Sequence, residues 1–124
     1  MIQNQWEDCD LTRIALGETL GQLKIELSNN YNGETLALLV CSGLLAIRIN
    51  SALAFDWGEL PVFVGKVQLH KLEADDATAC LQSHGYGFSR SGTATPFTPD
   101  AILKIRIEGG EIDCEVLARE CQVM

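Results

Sequence analysis

Cys80 and His84 are the residues of this chain whose types and spacing come closest to chemistry. They stand four positions apart at the end of a segment that reads as a short helix. A thiol and an imidazole would then share one face, a turn apart. Two chemistries use such a pair. Thiolate and ring nitrogen are zinc ligands, and His70 or the acidic cluster at Asp8 and Asp10 would have to complete the set. A thiolate beside an imidazole is also a nucleophile with its base, which needs a third group to orient the ring. The sequence names neither completing group. The expectation is therefore a buried thiol beside a helix-terminal histidine, with no catalytic residue, no metal and no cofactor.

Other polar groupings fail on spacing. Residues 85–92 are glycine-rich, but they lack the Gly-Lys-Ser/Thr ending of a phosphate loop and do not follow a strand. His70, Lys66 and Gln68 share the polar face of a predicted strand and are expected in solvent. Glu7, Asp8 and Asp10 lack the spacing of a calcium loop and read as a solvated acidic turn ahead of the first strand. The segment 84–100 differs in kind. It is long for a connection in a compact domain, and Pro96 and Pro99 bar it from a central strand. It sets Tyr86, Phe88, Arg90 and Phe97 among Gly, Ser and Thr. Rigid aromatics and arginine carry much of the binding energy at recognition surfaces. The alternative is that these aromatics fold back and pin the loop to the core. His84, Tyr86, Phe88, Arg90 and Phe97 are the candidate binding residues.

The elements that must position these groups follow from periodicity. Residues 102–108 alternate apolar and charged, Gly109 and Gly110 offer a two-residue primed turn, and alternation resumes to 118. That turn predicts Ile107 opposite Ile112, Ile105 opposite Cys114 and Leu103 opposite Val116. On the other face it predicts the charge pairs Arg106 with Asp113 and Lys104 with Glu115. Residues 11–16 can form a strand, and Leu23, Ile25 and Leu27 recur at period two. Residues 35–50 are apolar on both faces and are interrupted at Ser42 and Gly43. They read as two strands, the alternative being one buried helix over 34–49. Residues 62–70 read as a strand with Phe63, Val67 and Leu69 inward. In the helix of 74–83, Asp75 can cap the start, Ala77, Cys80, Leu81 and His84 share a face, and Gly85 suits the position past the end. The fold expected is mainly β (α+β), a single domain over 1–124. It is an antiparallel sheet or small β-sandwich of about seven strands, with one short helix covering a face or plugging an end.

Composition bounds the setting. The five cysteines are an odd number with no Cys-x-x-Cys pair, which suits a reducing compartment and predicts a cytoplasmic protein. No apolar run approaches the ~20 residues of a membrane span, and the first ten residues show no export signal. The net charge of −8 argues against nucleic acid and anionic membrane as partners, and it is compatible with a basic protein.

Trp6, Asp8 and Leu11, spaced as W-x-D-x-x-L, open the chain, and a hairpin with Glu108, Gly109, Gly110 and Glu111 closes it. In these two segments the sequence resembles small uncharacterised β-rich bacterial proteins of the kind that neutralise polymorphic toxins as immunity proteins. The resemblance implies a stoichiometric binding protein without catalysis, and it carries no functional residue onto this chain. The function expected is a non-catalytic protein-binding domain, an immunity-type inhibitor of a basic toxin-like partner. The alternative is a small-molecule-binding domain or minor enzyme with a pocket under residues 84–100.

Overall fold

The computed structural model describes residues 2–17, 19, 21–51, 62–85, 102–110 and 112–124. They form β1 (Ile2–Leu16), β2 (Leu23–Asn29), β3 (Thr35–Ser51), β4 (Val62–Leu72), α1 (Ala74–Ser83), β5 (Ile102–Glu108) and β6 (Ile112–Val123). All neighbours pair antiparallel, and the sheet closes into a barrel in the order β1-β2-β3-β6-β5-β4, with β4 returning to β1. The mainly β class with one short helix holds. The open sheet or seven-strand sandwich does not: the described strands number six, and the sheet is closed.

The correction has a physical cause in two long strands. Residues 35–51 are strand and not a buried helix, but they are one strand and not two. Gly43 takes φ 65°, and the register of β3 on β6 shifts between Leu44 and Ala46. The backbone bends there without leaving the sheet. Before the bend β3 pairs with β2, from Thr35 opposite Ser28 to Cys41 opposite Leu23. Beyond it β3 continues along β6 to Ser51 opposite Ile112. In the same way β1 begins at Ile2, so Glu7, Asp8 and Asp10 lie in a strand and not in a turn ahead of one. Asp8 has φ 50°. Around it β1 changes neighbours, with Ile2 to Leu11 on β4 and Cys9 to Leu16 on β2. Strands that bend and switch partners let the sheet close on itself, so each described strand has a neighbouring strand on both sides.

The interior is apolar. Leu11, Ile25, Leu27, Leu39, Val64, Val67, Ile105 and Ile107 belong to one buried cluster. In β4 the inward residues are Val62, Val64, Val67 and Leu69, whereas Phe63 is 42% exposed. The predicted inward Phe63 fails because the alternation changes phase at Gly65. A β-carbon on Gly65 would sit 2.7 Å from the Gly109 carbonyl oxygen. The turn between β5 and β6 therefore packs directly on the backbone of β4.

That turn is not the expected two-residue one. Ile107 lies opposite Cys114, Ile105 opposite Val116 and Leu103 opposite Ala118, each two residues further along β6 than predicted. This register rules out a two-residue turn of either primed type, and the backbone also excludes type I′, which needs positive φ at both central residues. Gly109 has φ 80°, but Gly110 is not in the positive region. A two-residue shift preserves which side chains face inward, so the predicted faces survive. The charge pairs survive as diagonal contacts, Arg106 with Asp113 and Lys104 with Glu115.

The helix packs on the outside of the barrel and does not plug an end. Ala77 and Leu81 are buried with Ile102 and Leu117 in a second cluster, which Leu45, Ala46, Leu72 and Cys80 flank. Leu117 sits between Val116 and Ala118 on β6, so it faces outward where its neighbours face inward. Glu73, not Asp75, occupies the N-cap position; Asp75 and Asp76 stand in the first turn, where they favour the helix dipole. His84 is the C-cap residue, and Gly85 follows at φ 89°.

Candidate functional site

The outward face of β3, β6 and β5 beside the end of α1 gathers polar side chains. Strand alternation alone puts Arg48 and Asn50 there from β3, Asp113 and Glu115 from β6, and Lys104 and Arg106 from β5. Register completes the arrangement: Arg48 lies opposite Glu115, and Glu115 opposite Arg106. Arg48, Asn50, Arg106, Asp113 and Glu115 line a cleft of about 220 Å³.

Each group in the cleft has a defined partner. Arg106 grips Asp113 with both terminal guanidinium nitrogens, Nη1 to Oδ1 and Nη2 to Oδ2, the latter at 3.0 Å. Its Nε also lies 3.6 Å from Glu108. Hydrogen bonding to Asp113 raises the Arg106 pKa further, so it stays charged. Glu115 is held from both sides, Oε1 by Lys104 Nζ at 3.2 Å and Oε2 by His84 Nε2. Burial pushes its pKa upward, but the bonds from His84 and Lys104 outweigh burial and hold the carboxyl below its ordinary range. Arg48 Nη2 donates to the Ser83 carbonyl oxygen at 2.9 Å and satisfies one of the acceptors left over at the helix end.

Cys80 joins this constellation. The Cys80 sulfur, a ring nitrogen of His84 and a carboxylate oxygen of Glu115 all lie within 4.8 Å of one another. Burial, with Glu115 nearby, pushes the Cys80 thiol pKa up, against the opposing pull of Lys104 and Arg48. The pairing of Cys80 with His84 was legible from their spacing. The third member is Glu115, not His70 or the Asp8 and Asp10 cluster. His70, on β4, lies opposite Lys104 of β5 and bonds Gln68 at 3.2 Å.

Of the candidate binding residues, His84 is placed, with its side chain 4% exposed against Glu115. Tyr86, Phe88, Arg90 and Phe97 lie outside the described residues. Nothing in the spacing of Arg48, Asn50, Asp113 and Glu115 marks them as a site. Their only signal in the sequence is that polar residues alternate along two strands whose contact the sequence does not reveal.

No protein-family model matches the chain, and no curated protein matches it. Among solved structures it is similar to an uncharacterised protein from Neisseria gonorrhoeae, with a TM-score of 0.65 and 16% sequence identity. The alignment covers 99% of this chain and 96% of that one. At that identity the likeness speaks for the fold alone.

Proposed function

We propose that the chain is a non-catalytic protein-binding domain for a basic partner. The observation that carries this reading is how the charge is displayed. Lys71, Lys104 and Arg106 are engaged in ion pairs with the chain's own carboxylates. Glu7, Asp8, Asp75 and Asp76 are exposed, and none enters an ion pair among the described residues. These four carboxylates are presented to solvent. Acidic groups displayed in this way steer a basic partner into encounter. Among the described residues the barrel interior is lined by aliphatic and thiol side chains, so the charged groups that would meet a partner stand on the outer surface. The resemblance of the opening and closing segments to immunity proteins makes a basic toxin-like protein the first partner to test, in the cytoplasm where the thiols stay reduced.

The test is capture of the full chain's partner from the source cell at low salt, followed by association kinetics with the purified partner. Neutralising the exposed acids (Glu7→Gln with Asp8→Asn, and Asp75→Asn with Asp76→Asn) should slow association and flatten its salt dependence. Recovery of no partner in near-stoichiometric amount, or rates that ignore these changes, would overturn the reading. A second reading, a small-molecule site, is favoured by the cleft lined by Arg48, Asn50, Arg106, Asp113 and Glu115. Its volume suits a small polar molecule, and a thermal-shift screen of polar metabolites that finds no ligand would remove it.

A further inference from the structure

We propose that Cys80, His84 and Glu115 are a zinc-binding site, with three ligands from the protein and the fourth from water. Thiolate, imidazole and carboxylate are the donor types that zinc accepts, and soft sulfur among them excludes magnesium and calcium as natural occupants. A tetrahedral zinc ion needs bonds of roughly 2.0–2.3 Å, which puts its ligand atoms roughly 3.3–3.6 Å apart. The three donors lie within 4.8 Å of one another, so small side-chain rotations, without backbone movement, bring them to that spacing.

The donors stand on elements that hold them in place. Cys80 and His84 are one turn apart on α1, whose Ala77 and Leu81 are buried against β5 and β6. Arg48 fixes the end of that helix through the Ser83 carbonyl oxygen at 2.9 Å. Glu115 is interior to β6 and pairs with strands on both sides. Lys104 binds Oε1 of Glu115 at 3.2 Å and leaves Oε2, the oxygen that meets His84, turned toward the ligand set. A carboxylate oriented by a hydrogen bond on its far oxygen is a recurrent support of metal ligands. The charges also close: a thiolate and a carboxylate neutralise the dication. On binding, the thiol proton leaves to solvent, Nε2 of His84 gives up the proton it shares with Glu115, and the neutral ring carries its N–H on Nδ1. Glu115 also lines the cleft described above, which gives the ion a way in. The site is independent of the protein-binding reading and stands or falls separately.

The experiment uses the full chain, reduced and stripped with a chelator, then titrated with zinc against a chromophoric competitor. One equivalent should bind. Cobalt(II), used in place of zinc, should give a thiolate-to-cobalt charge-transfer band. Cys80→Ser should abolish that band, and Glu115→Gln should weaken zinc binding roughly tenfold or more. Cys121→Ser, a change away from the site, should leave both intact. Circular dichroism of each metal-free variant separates loss of the site from loss of the fold. Failure of the folded wild-type chain to take up zinc would overturn the proposal, as would uptake indifferent to Cys80→Ser and Glu115→Gln.

Discussion

At the scale of single residues, titration and thiol reactivity give the sharpest expectations. His70 sits on β4 opposite Lys104. Burial, then the Lys104 charge, lowers its pKa from 6.5, with Glu108 opposing. The unfolded chain therefore takes up the proton first as pH falls. Above about 6.5 the ring is neutral in both states and adds no pH dependence. Below that value stability declines until the folded-state pKa is passed. Imidazole NMR should place the His70 midpoint below 6.5, and His70→Gln should flatten the stability profile in that window. A midpoint at or above the ordinary value would refute this. The thiols divide by burial. Cys9, Cys41 and Cys114 are buried, and burial pushes Cys114 up to about 12. Cys41 faces Cys121 across β3 and β6 with sulfurs 3.9 Å apart, and their contact raises Cys41 and lowers Cys121. A thiol reagent on native protein should reach Cys121 first and Cys80 more slowly, and all five cysteines only after unfolding. Rapid reaction of more than two thiols in folded protein would contradict the buried assignment.

At the scale of elements, the turn between β5 and β6 and the helix carry separable stability. Gly109 needs φ 80°, and a β-carbon there would lie 3.3 Å from the Gly65 Cα. Gly109→Val should cost more than about 1 kcal/mol in denaturant unfolding, because a β-branched residue resists positive φ. Gly65→Ala should also destabilise, since its β-carbon would meet the Gly109 carbonyl oxygen at 2.7 Å. An unchanged midpoint for both would show that the turn does not rest on β4. The helix is held by burial. Leu81 is fully buried in the outer cluster, so Leu81→Ala should cost about 2–5 kcal/mol, the usual range for such a truncation. A cost well under 1 kcal/mol, measured by the same unfolding experiment, would mean that the helix docks loosely.

At the scale of the whole molecule, the proposed association with a basic partner is expected to be governed by charge. With a basic partner the association rate should fall steeply as salt shortens the screening length to about 8–10 Å, while dissociation changes little. Stopped-flow rates that do not respond to salt would deny the acidic surface a role. The sequence by itself determined the inward and outward faces of β2, β5 and β6, the helix with Cys80 and His84 on one side, and the opposite charges on β5 and β6. These are properties of local alternation and of a 3.6-residue period, and neighbours a few positions away suffice to set them. Alternation is blind to a two-residue slip, which keeps every side chain on its face, so the register of Ile107 with Cys114 was decided elsewhere. The close approach of Gly109 to Gly65 and the positive φ confined to the first turn glycine accompany that choice. Nor could local pattern tell a glycine that ends a strand from one that bends it. Gly43 bends β3 because β6 continues the ladder beyond it, and β6 lies some seventy residues on in the chain. Closure of the barrel and the meeting of His84 with Glu115 likewise join segments distant in sequence. Only tertiary structure decides such contacts, because they depend on which strands find each other once apolar faces are buried together.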